Sequence, residues 1–283
     1  MCLDLVQSKI ACFSAHTNLD VVPGGVNSVL ADRIGLVDPT PLFPVPQSEQ
    51  VKLVAFVPEV HLSRVRNAVC SAGAGVIGDY TNCSFSTPGI GTFRPGDASM
   101  PFSGKKKQIN EEPERKFEVL VLKAKLPAVL KALFKSHPYD EVAYDIINLA
   151  NHDASISLGL RGELSRPTSL DAFASRVRKS LSVEHVRVIG SAKRKVKRIA
   201  VMGGSGGSQI ADLPDDVDVF VTGDVKYHEA ELANLRGITV IDAGHAGTEK
   251  CIVPVLASHL RKHTKGIVVR TYTEPDYFRA VTK

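Results

Sequence analysis

The chain has 283 residues, 43% hydrophobic and 23% charged, the balance of an ordinary globular protein with room for two modest domains. Lys and Arg number 35 against 30 Asp and Glu, a mild, spread-out excess that permits anionic small molecules or nucleic acid as partners and selects neither. No apolar stretch reaches membrane-spanning length and the five cysteines form no C-x-x-C pair, so the expectation is a cytoplasmic protein with reduced thiols, without disulfide framework or zinc cluster.

In chain order, "KIACFSAHTNLD" reads as a short apolar strand ending at a polar corner. "GGVNSVLADRIGL" follows with Val26, Val29, Leu30 and Ile34 at helical spacing. The proline-rich "VDPTPLFPVPQSEQ" is expected to break regular structure. Next come the alternating, β-branched strand "VKLVAFVP" and an amphipathic stretch from Glu59 to about Ala72. "STPGIGTFRPGDASMPFSGKKK" carries turn signals, and Lys105–Lys107 within it reads as a solvated loop, as does the basic run Lys193–Arg198. "KFEVLVLKAKL" is a strand, "PAVLKALFKSH" helix-like, and "EVAYDIINL" a third strand. This order over residues 51–149 predicts a ferredoxin-like α+β unit with a loose central excursion.

"SLGLRGELSRPTSLDAFASRVRKSL" then gives a strand, a Thr/Ser entry and a helix with Leu170, Phe173, Val177 and Leu181 on one side. "RIAVMGGSGGS", "DVFVTGD" and "GITVIDAGH" are short apolar strands, each ending in glycine and polar residues. An open α/β sheet shows this pattern, with functional loops at the carboxyl ends of its strands.

Four corners could therefore carry chemistry: "HTNLD", "GGSGGS", "TGDVKYH" and "GHAGTE". Asp20 offers oxygen, His245 nitrogen and Glu249 oxygen, a mixed set suited to Zn, Mn, Fe or Mg. Four residues apart on a helix, His245 and Glu249 lie on one face. A solvated helix start with an ordinary His–Glu pair is the alternative, and on that motif alone the better one. Gly203, Gly204, Ser205 and Gly206 could cradle a phosphate with their N–H groups, but they match neither nucleotide-binding fingerprint, and a tight turn is the preferred reading. His228 in "KYHEAE" reads as a surface helix residue before it reads as a catalytic one, and His137 before Pro138 reads as structural.

Taken together, "AHTNLD…GGVN", "HPYDEVAYDI", "GGSGGS", "TGDVKYHEA" and "AGHAGTE", in this order over nearly the whole chain, resemble the Nif-three-like family, also called GTP cyclohydrolase 1 type 2 homologues. The resemblance implies an α/β metalloprotein with two divalent ions per site, assembled as a ring-shaped homo-oligomer, a hexamer in the family. It also implies an inserted domain similar to the ferredoxin-like signalling and copper-tolerance trimers. The expected division is 1–48 with 151–283 as one discontinuous α/β domain and 49–150 as the insert. By resemblance, Asp20 is the bridging carboxylate, His245 and Glu249 are metal ligands, His16 stands beside the metals and His228 is the catalytic imidazole.

Family members also carry a His-His-Pro corner upstream of HTNLD, whereas no adjacent pair of histidines occurs in this chain. Two readings follow: a metal-dependent hydrolase acting on a nucleotide or phosphate-containing substrate, or a non-catalytic ring scaffold or transcription-associated interaction protein with a degenerate site. The short start predicts weak metal binding, poor hydrolysis and an apolar "IACFSA" strand left with an unpaired edge or bare face.

Overall fold

A computed structural model of the chain describes residues 2–153, 155–191, 195–272 and 274. Lys193 and Arg194 of the second basic run lie outside the described residues. The helices are α1 (Cys2–Gln7), α2 (Thr17–Asp20), α3 (Val26–Ile34), α4 (Leu62–Ser71), α5 (Leu126–Ser136), α6 (Leu170–Ser180), α7 (Tyr227–Leu235), α8 (His245–Glu249) and α9 (Ile252–His263). The strands are β1 (Leu36–Pro44), β2 (Glu49–Pro58), β3 (Ser84–Phe93), β4 (Asn110–Leu122), β5 (Tyr144–His152), β6 (Ser157–Ser169), β7 (Arg187–Ile189), β8 (Lys195–Ser205), β9 (Val219–Gly223) and β10 (Thr239–Asp242). They form two compact units, Met1–Pro44 with Ala154–Lys283, and Val45–Asp153.

The first unit carries a six-stranded sheet of order β1-β6-β8-β9-β10-β7. Its centre, β8-β9-β10, is parallel, and the outer pairings are antiparallel. The central strands read as continuous apolar runs because both faces are covered. On one face Val201, Val221 and Ile241 pack with Leu30 and Ile34 of α3 and Phe173 and Val177 of α6. On the other, Ala200, Phe220 and Val240 pack with Ile210, Ala233 and Ile238. Each fully buried large side chain contributes roughly 1.5–3 kcal/mol. Helix α6 starts as expected at a Ser/Thr entry: the Ser169 hydroxyl accepts from the Ala172 N–H.

The second unit runs β2-α4-β3-β4-α5-β5 in a wholly antiparallel sheet of order β3-β4-β2-β5, the ferredoxin-like pattern. Only one sheet face is covered, so its strands alternate. Leu53, Ala55, Phe117 and Val119 meet Val65 and Val69 of α4 and Val129 and Leu133 of α5. The first unit's chain leaves and returns at a paired position, Pro44 opposite Ser157. An insertion between adjacent strand ends leaves the parent sheet intact.

Three expectations need correction. The "IACFSA" strand does not form: residues 10–15 have no regular structure, and Ile10 and Phe13 are exposed. Among the described residues no strand lies beside them to complete a ladder, and apolar content alone does not hold a single strand. The proline-rich stretch, expected to be irregular, contains β1. Proline is tolerated there because β1 is an edge strand paired only with β6, and the register shifts between Val37 and Thr40, around Pro39. The glycine-rich stretch begins with β3, in unbroken register with β4 from Ser84–Val119 to Phe93–Asn110. Its glycines fit because β3 too is an edge strand. All five cysteines are free, and no described helix is long and apolar enough to cross a membrane.

Candidate metal centre

The carboxyl ends of β8, β9 and β10 meet at one edge of the first unit's sheet, where an open α/β sheet places its ligands. Asp242, the last residue of β10, is buried and fixes the corners around it. Its Oδ2 accepts from the Val225 N–H (3.1 Å) and from the Arg187 guanidinium, and its Oδ1 from the Gly244 N–H (2.9 Å). Thr222 ties β9 to both neighbours, its carbonyl accepting from Ala243 N–H and its hydroxyl from Gly206 N–H. Two glycines are required here, Gly223 by space and Gly204 by its backbone. A Cβ on Gly223 would lie 2.5 Å from the Gly244 carbonyl carbon. A Cβ on Gly204, which also has φ +70°, would lie 2.5 Å from Glu249 Oε1.

On this frame His245 and Glu249 open and close α8. His245 Nε2 faces Glu249 Oε1 at 3.2 Å, so the spacing of four brings them together. His245 Nδ1 bonds Asp224 Oδ2 at 2.7 Å. Asp224 was not singled out from the sequence, although it stands in the "TGDVKYH" corner directly after β9. A carboxylate following a strand-ending glycine was the available signal. Its backbone is left-handed, φ 54°, which aspartate tolerates better than most residues.

Asp20 arrives from the end of α2. Buried Asn27 holds it there, donating to the Asp20 carbonyl (2.9 Å) while its own oxygen accepts from the Gly203 N–H (2.8 Å). The electrostatics show which side chains share the site. Burial raises the Asp20 pKa, opposed by the charges of His16 and His245. Burial also raises that of Glu249; His245 opposes it and the Asp20 charge adds to it. His245 is raised first by its bond to Asp224, against a smaller effect of burial, and further by the charges of Glu249, Asp224 and Asp20. Direct contacts thus join Asp224, His245 and Glu249, and Asp20 and His16 act on them through charge alone.

His228 is not brought into it. It sits in the first turn of α7, with its side chain 91% exposed, its Nδ1 3.4 Å from Glu231 and its ring against Tyr227. Three N–H groups of the glycine turn are taken from within. Gly203 N–H donates to Asn27, Gly204 N–H to Thr248 Oγ1 (2.9 Å) and Gly206 N–H to Thr222 Oγ1 (3.0 Å). A phosphate at Gly203, Gly204, Ser205 and Gly206 would have to displace those partners. The mixed carboxylate and imidazole set suits a divalent ion chemically. As the side chains stand, both His245 nitrogens face carboxylates, and no group of three or more His, Cys, Asp or Glu among the described residues is disposed to hold a metal ion.

Comparison with known proteins adds to this geometry. The family model described as Duf34/NIF3 (NGG1p interacting factor 3) matches residues 1–275. A Halalkalibacterium halodurans protein named GTP cyclohydrolase 1 type 2 homolog is 40% identical over 261 residues, covering 92% of this chain and 70% of the relative. The Bacillus subtilis protein of the same name is 41% identical over 241 residues, covering 85% of this chain and 65% of the relative. The crystal structure of a Bacillus cereus protein related to NIF3 superposes with a TM-score of 0.78 at 35% identity, covering 97% of this chain and 75% of that one.

Proposed function

The chain belongs to the Duf34/NIF3 family, and we propose on that footing that the corner cluster is a divalent-cation site serving hydrolysis of a nucleotide or another phosphate-containing substrate. What supports this reading is the contact of His245 with Asp224 and Glu249 beyond the ends of β9 and β10, with Asp20 acting on His245 and Glu249 through its charge and both carboxylates burdened by burial. Burial raises both carboxylates and like charge raises Glu249 further, and a cation of Zn, Mn, Fe or Mg type would relieve both effects. Asp20, His245 and Glu249 would hold the ion. When bound, such an ion polarises phosphoryl oxygen and lowers the pKa of water.

The remaining roles belong to the chain's own groups. Asp224 orients the His245 ring through Nδ1, the part a carboxylate plays behind a ligating imidazole. Asp242 holds the backbone of both corners. The name of the relatives suggests opening of a guanine ring, but no residue at the site selects guanine over another ligand. A homo-oligomer is part of the proposal, and sedimentation velocity would test it.

The ion-paired state of His245 favours a second reading, in which the cluster is a latch between corners and the protein a non-catalytic scaffold. Calorimetric titration with zinc and with manganese separates the two. The metal reading expects saturable binding to the purified chain, abolished by Glu249→Gln and weakened about 10–100-fold by Asp224→Asn. Binding that is absent at millimolar metal, or indifferent to both variants, establishes the latch.

A further inference from the structure

The second unit holds a cavity of about 680 Å³ on the sheet face that its helices leave open. That volume lies within the range of small-molecule sites, roughly 300–1,000 Å³. Its floor is β3 with Phe56 of β2 and Glu114 of β4, and its far wall is the arm 94–102. The arm is pinned: Asp140 Oδ2 accepts from the Met100 N–H at 2.9 Å. Phe102 is wedged between rings, 5.3 Å from His61 and 5.9 Å from Tyr139. The motif "HPYDEVAYDI" therefore builds a wall of this cavity, a use the first unit's site does not account for.

Its lining is mixed, with Arg94, Lys116, Asp140 and Glu141 among the polar groups, and Glu114 and Tyr139 order each other. Tyr139 donates its hydroxyl to Glu114 Oε1 at 2.8 Å, and this fixes the carboxylate. Burial, and then that bond to Glu114, push the phenol well above its usual range, so it remains a neutral donor. Glu114 Oε2 lies over Gly91, where a Cβ would come within 2.1 Å, and no described residue donates to it. Of the two basic side chains lining the cavity, Lys116 is neutralised by Glu118 at 3.1 Å and Arg94 stands on the arm. Gly89 has nothing within 4 Å of an added Cβ, so the space above it is open.

We propose that this cavity is a binding site for a small, flat, aromatic ligand bearing an amidine-like edge of paired N–H donors. An amidine-like edge sets two parallel N–H groups against one carboxylate, and the flat body lies along Phe102 and Tyr139. The site requires no metal and does not depend on the function proposed for the first unit.

Benzamidine is the probe, with benzoate as its charge-reversed counterpart, followed by saturation-transfer NMR and calorimetry on the full chain. Benzamidine binds saturably and benzoate does not. Glu114→Gln, which keeps an oxygen for Tyr139, weakens binding at least about tenfold, the loss of one charge-assisted contact. Gly89→Leu fills the cavity and abolishes binding, while Asp20→Asn in the other unit leaves it unchanged. Circular dichroism on each variant confirms the fold. Equal binding of benzoate, no saturable binding, or unaltered affinity in folded Glu114→Gln and Gly89→Leu proteins overturns the proposal, including the case in which a second copy of the chain covers the cavity.

Discussion

His245 and His137, one in each unit, have both ring nitrogens occupied, yet their environments push them to opposite charge states. His245 lies between Asp224 and Glu249 and is half exposed, so its charged form is favoured. His137 is buried; its Nε2 donates to the Phe56 carbonyl at 3.0 Å and its Nδ1 accepts from the Tyr139 N–H at 3.2 Å. Burial lowers its pKa, the charge of His61 adds to that, and the bond to Phe56 only partly opposes it. A second proton on His137 would point at an N–H already there. One histidine is held in a setting that favours charge; the other is a neutral brace between a strand and a turn.

The sharpest way to break this comparison is to remove what holds the charged site in place. Asp242→Ala leaves the Val225 and Gly244 N–H groups without their acceptor and releases Arg187. Arg187 is 63% exposed and can turn to solvent, so the loss is smaller than for a fully buried pair, about 2–3 kcal/mol. Urea denaturation should show that loss together with the loss of any metal binding. A cost under about 0.5 kcal/mol, the range of neutral surface changes, would mean that the corners keep their form without Asp242.

How far the two environments could be read beforehand differs by element. Strands buried on both faces, such as Ile199–Met202, announced themselves as apolar runs, and the spacing of four put His245 beside Glu249. β1 and β3 were hidden because proline and glycine suit edge strands, and edge position is a property of the sheet, not of the segment. "IACFSA" failed in the opposite sense: strand-like composition without a partner strand. His245, Val225 and Arg187, which Asp224 and Asp242 hold, lie 17–55 residues away from them, so a local pattern can mark such a carboxylate but not what it holds. His137 was read as structural, but its tautomer depends on Phe56, 81 positions away.

The next test sharpens the contrast through pH. His137 has a folded pKa below its unfolded value of about 6.5, so the unfolded chain takes up the proton first. Its contribution is present above about pH 6.5 and is lost as pH falls through that value toward the folded pKa. His245 has a raised folded pKa, so its contribution is present below about pH 6.5 and is lost as pH rises through the folded pKa. Metal-free denaturation at pH 5.5 and 8 should therefore change slope in opposite senses in His137→Gln and His245→Gln. Slopes moving the same way would show that the two rings do not differ in preferred charge.

The smallest effect expected is also the one that runs against the usual direction of mutation. Asp20 has a folded pKa raised chiefly by burial, so above the unfolded value of about 3.9 its charge subtracts from stability, and the deficit is complete once pH exceeds the folded pKa. Asp20→Asn keeps the shape and removes that charge and its repulsion of Glu249. The carboxylate is partly solvated, so screening limits the gain to about 1 kcal/mol, or at most roughly 2–4 °C in Tm. Without metal, the variant should melt at or slightly above the parent. With zinc or manganese the order should invert, because an ion bound only by the folded parent adds stability that the variant has given up. Removing His245 or Asp224 has no such advantage, since each stabilises its partner by direct contact. A variant that melts several degrees lower in chelator would show that Asp20 is held as a structural carboxylate, and that the cluster does not keep charge in reserve for a cation.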